Sequence, residues 1–198
     1  MEVIYDVIPN TNLKDYLFDK NQTIDSFFSI TQIKEKVEKV LSKVNNKLLE
    51  YFEKDNWKII ITNRKKLEEE YLTIYQVDGI TDFDKKEIIV YATENGIEYS
   101  LIHELGHYLD KKLYDVSKSS EWFKMYQENN SKCPLINNYS IQYFTDMNRC
   151  NEVFADSFLV YTLDPGVLKR YMPDVYNLFV RINYSLDYLD DCSKSIII

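Results

Sequence analysis

Apolar residues recur every three to four positions between Thr31 and about Asp55, with lysine and glutamate between them. This spacing predicts an amphipathic helix that buries one face. Two short segments rich in β-branched residues follow: Trp57–Thr62, which predicts a buried strand, and Lys86–Thr93, which predicts a further strand. The apolar positions of the predicted helix are Ile33, Val37, Val40, Leu41, Val44, Leu48, Leu49 and Phe52.

The second half of the chain has helical spacing almost throughout, whereas the first half holds the strand-like segments. A helical turn is predicted within Lys65–Tyr71, a strand within Thr73–Val77 and a turn at Asp78-Gly79. This order of elements favours an α+β fold with a small mixed sheet over alternating strand–helix–strand units. The predicted helices of the second half are Ile97–Lys112, Glu121–Asn129, Asn148–Tyr161 and Val175–Leu189.

The chain has 198 residues with only 4 glycines and 4 prolines, and it shows no repeat or linker-like tract. We therefore expect a single domain, 1–198, with an N-terminal segment of uncertain structure at about 1–30, a core at 31–190 and a frayed tail at 191–198. The net charge of −8 argues against binding to nucleic acid. No apolar run approaches the roughly 20 residues that span a bilayer. The three scattered cysteines are too few for a disulfide framework.

The only two histidines of the sequence stand four residues apart in His103-Glu104-Leu105-Gly106-His107. Residues four apart lie on one face of a helix, so both imidazoles can bind a single Zn²⁺ ion. Glu104 then lies on the adjacent flank, where it can reach a metal-bound water as a general base without binding the metal. Gly106 lowers helix propensity, which indicates close backbone packing or substrate approach there. The motif predicts one zinc ion per chain.

A catalytic zinc normally has three protein ligands and a water, so a chain with two histidines must take its third ligand from Asp, Glu or Cys. The best candidate is Glu152, which lies on a predicted helix far enough downstream to return antiparallel to the first. Asp156 follows one turn later on the same face, where it could accept the ring N–H of a zinc-bound histidine. The alternatives are that Glu152 is a plain surface charge and that Asp156 is a solvated residue.

The two motifs, HELGH and Asn151-Glu152-Val153-Phe154-Ala155-Asp156, resemble the HExxH…NExxxD signature of the gluzincin metallopeptidases. The region from about residue 85 to 190 is similar to the anthrax lethal factor catalytic domain and the related clostridial Pro-Pro endopeptidases. This resemblance implies a zincin-like fold, an active-site helix carrying HELGH and a possible role as a toxin or virulence factor. It also implies His103, His107 and Glu152 as zinc ligands. Glu104 would be the general base, and Asp156 would hydrogen-bond to a zinc ligand without binding the metal itself.

The same family places a tyrosine a few residues before the ligand glutamate, where its hydroxyl stabilises the oxyanion. The ungapped position in this chain is Thr145. Tyr143 fits after a shift of two residues, Tyr139 is the next choice, and a third alternative is that no tyrosine acts. The sequence shows no counterpart of the Gly/Trp-rich loop linked to Pro-Pro specificity, so we do not transfer that substrate preference.

The predicted function is a zinc-dependent metalloendopeptidase that acts on a peptide or protein substrate. One alternative is an intracellular regulatory metallopeptidase that cleaves a repressor-type protein, because that family shares the spacing of Glu152, Ala155 and Phe158. Another alternative is a catalytically inactive zinc-binding relative, against which the intact Glu104 argues. The strand Glu87-Ile88-Ile89-Val90-Tyr91 is predicted to be a sheet edge to which an extended substrate could add, or else a buried strand.

The cellular compartment is indicated only indirectly. The first residues, MEVIYDVIPN, have no basic start ahead of an apolar stretch and do not read as a signal peptide. The family resemblance favours export. We therefore expect a secreted protein, and a cytoplasmic protein is the alternative. The oligomeric state is not indicated by the sequence.

Overall fold

The computed structural model describes residues 1–7, 29–62, 78–129, 133, 136 and 150–188. These residues form four strands and seven α-helices, so the predicted α+β class with a small mixed sheet is confirmed. The chain divides into two compact units. The first consists of Met1–Ser42 and Tyr51–Glu104, and the second of Lys43–Glu50 and Leu105–Ile198.

The first unit contains the sheet, whose strands lie in the order β1-β2-β4-β3. Neighbouring strands are parallel in the pairs β1–β2 and β2–β4, and antiparallel in the pair β3–β4. The Ile- and Val-rich centres of β2 and β4 are buried, as expected for inner strands covered on both faces. The strands are β1 (Glu2–Asp6), β2 (Lys58–Thr62), β3 (Gly79–Asp82) and β4 (Glu87–Tyr91).

The prediction that Glu87-Ile88-Ile89-Val90-Tyr91 forms a sheet edge is wrong. This segment is β4, which is hydrogen-bonded to β2 on one side and to β3 on the other. Its run of three buried β-branched residues, without alternation, is the physical reason, because it has no polar face to turn to solvent. The alternative prediction of a buried strand is confirmed. Among the described residues, the edge strands are β1 and β3.

The strand β3 begins at Gly79, where the sequence predicted a turn. The charges of the hairpin between β3 and β4 are grouped at its turn. There, Oδ1 of Asp82 accepts hydrogen bonds from the main-chain N–H groups of Asp84 and Lys85, over 3.0 and 2.9 Å. This local bonding fixes a tight connection and lets Gly79–Asp82 pair with β4.

The predicted continuous helix of residues 31–55 is two helices, α1 (Ile30–Leu41) and α2 (Asn46–Lys54). Immediately before α2, Oδ1 of Asn45 accepts a hydrogen bond from the main-chain N–H of Lys47, over 2.8 Å. Such a side-chain bond satisfies a donor at a helix start and competes with continuation of the preceding helix. The apolar spacing was therefore interpreted correctly, but the break was missed.

The helices predicted for the second half are confirmed, with ends shifted by up to four residues. One further helix, α6, is absent from the predicted helices. It begins after Asp164, whose Oδ1 accepts a hydrogen bond from the main-chain N–H of Val167. None of the described helices combines the length and apolar character that crossing a bilayer requires. The helices are α3 (Leu101–Lys112), preceded by a π-helical turn at Gly96–Ser100, then α4 (Ser120–Asn129), α5 (Cys150–Leu163), α6 (Pro165–Tyr171) and α7 (Pro173–Leu186).

An aromatic core holds α5 in the second unit. The ring of Phe154 on α5 lies 5.2 Å from that of Trp122 on α4 and 5.1 Å from that of Phe179 on α7, measured between centroids. Large buried rings at such distances contribute strongly to packing. The helix that carries the predicted third ligand is thus fixed by its neighbours. The predicted segments at 65–71 and 73–77 and the tail lie outside the described residues.

Candidate metal centre

Three side chains, His103, His107 and Glu152, each place one potential ligand atom within 4.8 Å of the other two. The histidines lie one turn apart on α3, and Glu152 lies in the first turn of α5. Nε2 of His107 and Oε1 of Glu152 are 3.6 Å apart. Two ligands of a tetrahedral zinc ion lie about 3.3 Å from each other, so this pair needs only a small adjustment to share one ion.

The chemistry of the donor set fits zinc. Two imidazole nitrogens and one carboxylate oxygen are ligands that Zn²⁺ binds in catalytic sites. Within the described residues the group has three members, and a site with three protein ligands keeps a fourth position for water or substrate. These are the three ligands that the sequence predicted. They form a possible metal site, and the identity of the ion stays a prediction.

The approach of α5 to α3 depends on Gly106. A Cβ atom at this position would lie 2.8 Å from Cα and 3.1 Å from Cβ of Ala155, closer than non-bonded carbon atoms approach. Gly106 directly precedes His107, and Ala155 lies one turn after Glu152. The contact therefore sets the distance between two of the predicted ligands. Of the two explanations offered for Gly106, close backbone packing is confirmed.

The carboxylate of Glu104 is buried, with 7% of the residue exposed, and it contacts strand β3 within the first unit. The hydroxyl of Thr81 donates a hydrogen bond to Oε2 of Glu104 over 2.6 Å. A Cβ atom at Gly79 would lie 3.1 Å from Oε1 of the same carboxylate. The sequence analysis missed both β3 residues. The signal that could have revealed them is the hairpin pattern of GITD, a polar FDKK turn and EIIVY.

Asp110 is a second buried carboxylate on α3, three residues after His107. It accepts hydrogen bonds from the main-chain N–H of Ser117 over 2.8 Å and from the Ser117 hydroxyl over 2.6 Å. Burial raises the pKa of the Asp110 carboxyl above its ordinary value, and the two bonds from Ser117 oppose that rise. This pair ties the 3₁₀ turn Val116–Lys118 to the end of α3, and the sequence analysis did not single it out.

The remaining predicted site residues have different outcomes. Asp156 is 5% exposed on α5, so the alternative of a solvated residue is wrong, while its proposed support of a histidine stays a prediction. Oε1 of Glu152 lies 3.6 Å from Nε2 of His107, which favours the ligand role of Glu152 over that of a plain surface charge. Tyr143 and Tyr139 lie outside the described residues, as does the position of Thr145. The assignment of an oxyanion-stabilising tyrosine therefore stays a prediction.

Comparison with known proteins supports one relation. Residues 10–182 match the family described as anthrax toxin lethal factor, N- and C-terminal domain. This range includes α3 and α5, and with them all three residues of the possible metal site. No curated protein matches the chain at a significant level. Because the match extends over most of the sequence, the chain belongs to the anthrax toxin lethal factor N- and C-terminal domain family.

Proposed function

We propose that this protein is a zinc-dependent metalloendopeptidase of the gluzincin type with a zincin-like fold. One zinc ion per chain is held by His103, His107 and Glu152. The observation that carries the proposal is the convergence of these three ligand atoms within 4.8 Å, with the carboxylate of Glu104 next to the first ligand in sequence but outside the set. Two roles, ligand and base, are thus assigned to different carboxylates.

The contacts of Glu104 support its role as a base. Its Oε2 is engaged by the Thr81 hydroxyl, whereas Oε1 of Glu152 faces a histidine nitrogen. When bound, the zinc ion would lower the pKa of a coordinated water and polarise the scissile carbonyl. Glu104 accepts a proton from the attacking water and passes it to the leaving amine, as a general base and then a general acid.

The substrate is proposed to be a peptide or protein segment in extended conformation, and the correction of the sheet edge moves its binding strand to β3. The main-chain N–H of Tyr91 donates to the carbonyl of Asp78 over 3.0 Å. Because bonded and non-bonded pairs alternate in an antiparallel ladder, the main-chain groups of Gly79 and Thr81 point away from β4. A peptide added there would run past the residues that contact Glu104.

Two alternatives differ from this proposal in partner or in chemistry. The family match from 10 to 182 favours a lethal-factor-like enzyme over a regulatory metallopeptidase that cleaves a repressor, and it extends the proposal to a role as a toxin or virulence factor. The inactive zinc-binding relative is disfavoured because a carboxylate held beside the ligands has no use in a purely structural site. The net charge of −8 supports a peptide or protein partner over nucleic acid.

The experiment that tests the proposal is cleavage of a combinatorial peptide library, read by mass spectrometry. Wild type, Glu104→Gln and chelator-treated wild type are compared, each with its zinc content measured. We expect cleavage by the wild type and a rate lower by about 10²–10⁴-fold in Glu104→Gln, which should retain zinc. Chelation should abolish cleavage and added zinc should restore it. Equal cleavage by Glu104→Gln would contradict the proposal.

A further inference from the structure

The buried carboxylate of Glu104 is held by a neighbouring strand. Its Oε2 accepts a hydrogen bond of 2.6 Å from the Thr81 hydroxyl, which also lies 3.1 Å from the main-chain carbonyl oxygen of Glu104. A buried carboxylate requires such a partner, because burial without a hydrogen bond is costly for a polar group. Thr81 therefore restricts the rotation of the side chain that the proposed reaction uses.

The other side of the same carboxylate is limited by the backbone of Gly79. A Cβ atom there would lie 3.0 Å from Cγ and 3.1 Å from Oε1 of Glu104. Gly79 thus leaves room for the carboxylate of Glu104, and Thr81, two residues further along β3, holds that carboxylate by its hydrogen bond. Because side chains two apart on a strand point to the same face, both residues act on Glu104 from one face of β3.

We propose that Thr81 is a positioning residue for Glu104, an inference that rests on the proposed function. The Thr81 hydroxyl occupies Oε2 and leaves Oε1 as the oxygen that receives the proton. In the reaction the oxygen of the attacking water bonds to the scissile carbonyl carbon, while one O–H bond of the water breaks and an O–H bond forms at Oε1. The same proton then moves to the leaving nitrogen as the C–N bond breaks, so the carboxylate is regenerated with Oε2 still bound to Thr81.

A purely structural role for Thr81 predicts a different result from a positioning role. If the hydroxyl only satisfies a buried carboxylate, its loss lowers stability and leaves the rate per folded molecule unchanged. If it positions the base, its loss lowers kcat and leaves KM unchanged, because the substrate still binds while proton transfer is misaligned. The conservative substitution to serine keeps the hydroxyl and should restore most of kcat.

The kinetic test compares Thr81→Val, which has nearly the shape of threonine, with Thr81→Ser. We expect kcat to fall about ten- to hundredfold in Thr81→Val with KM within about twofold, and to stay within about threefold of wild type in Thr81→Ser. Thr93→Val is the matched control, because Oγ1 of Thr93 accepts a hydrogen bond from the main-chain N–H of Gly96 over 3.0 Å, whereas the hydroxyl bonded to Glu104 is that of Thr81. It should lose stability while keeping kcat.

A second readout uses metal-free protein and requires no activity. Thr81→Val, Glu104→Ala and the double variant are unfolded by denaturant, and their midpoints are compared in a double-mutant cycle. We expect the shift of the double variant to be smaller than the sum of the single shifts, because either substitution alone already removes the hydrogen bond. Additive shifts would overturn the inference.

The two experiments separate the inference from the function on which it rests. An unchanged kcat in Thr81→Val, with an active wild type, would overturn the positioning role and leave the peptidase proposal intact. A wild type that cleaves neither the peptide library nor folded proteins while holding zinc would overturn the peptidase proposal, and with it the positioning role. In that case the metal-free cycle still decides whether Thr81 and Glu104 are coupled.

Discussion

Gly106 on α3 contacts Ala155 on α5 so closely that any residue larger than glycine at position 106 would collide with Ala155. Each lies close in sequence to a predicted metal ligand, His107 and Glu152 respectively. The contact therefore connects an ordinary packing requirement to the geometry of the site, and it makes the small residue inside HELGH a structural necessity in this chain.

Replacing Gly106 with alanine should force the two helices apart. A Cβ atom at 2.8 Å from Cα of Ala155 meets backbone, which cannot rotate away, so we expect a loss of about 1–3 kcal/mol in the free energy of unfolding. Because His107 and Glu152 then separate, zinc affinity should fall by about tenfold or more. Denaturant unfolding and zinc titration measure the two effects.

Gly166→Ala provides the matched control for this substitution. At that position the nearest atom to an added Cβ is Oδ1 of Asp164, at 3.5 Å, which is ordinary contact distance. Alanine has the higher helix propensity, so stability should stay the same or rise by up to about 1 kcal/mol. A zinc affinity for Gly106→Ala equal to that of Gly166→Ala would contradict the role assigned to the helix contact.

The pair Asp110–Ser117 should give the stability a specific pH dependence. The pKa of Asp110 is raised in the folded state, so its contribution to stability is largest at low pH, where the carboxyl is protonated, and is lost as pH rises through the folded pKa. Ser117→Ala removes the 2.6 Å bond to the carboxylate and raises that pKa further. Its penalty should therefore grow with pH, to about 1.5–3 kcal/mol once Asp110 is ionised.

Unfolding measured between pH 3.5 and 7 tests this expectation. Ser42→Ala is the control, because the Ser42 hydroxyl donates to the main-chain carbonyl of Lys39 over 2.8 Å and, within the described part of the chain, has no hydrogen bond to an ionisable group. Its penalty should not depend on pH. A Ser117→Ala penalty that is constant over the same range would show that the hydroxyl does not act through the ionised carboxylate.

Substrate addition to β3 predicts a periodic response to N-methylation of the peptide. In an added strand, alternate main-chain N–H groups donate to the sheet and the others point to solvent. Methylating successive amides of a cleaved peptide should therefore weaken binding at every second position near the scissile bond. Inhibition constants of the methylated series measure this, and equal losses at all positions, or none, would speak against strand addition.

The features predicted correctly from sequence are those with a local signal. The i, i+4 spacing of His103 and His107 and the helical setting of Glu152 each lie within one element, so periodicity and residue type are sufficient to find them. The possible metal site then follows from chemistry, since a chain with only two histidines must take a third zinc ligand from Asp, Glu or Cys.

The features that were missed depend on short elements or distant contacts. β3 has four residues, one of them a glycine, so its alternation is too brief to distinguish it from a turn. β1 is parallel to β2, and its partner is therefore distant in the chain, without the hairpin turn that marks an antiparallel neighbour. The bond between Thr81 and Glu104 arises only when β3 is paired with β4, so it could be predicted only after the hairpin pattern had been recognised.

The zinc content of purified protein tests the central claim most directly. Wild type, Glu104→Gln and Glu152→Gln are compared by elemental analysis after dialysis against limiting zinc. The account predicts one zinc ion per chain in wild type and in Glu104→Gln, and a large loss of zinc in Glu152→Gln, because only the last substitution removes a ligand. A wild type without bound zinc, or a loss of zinc in Glu104→Gln as large as in Glu152→Gln, would contradict it.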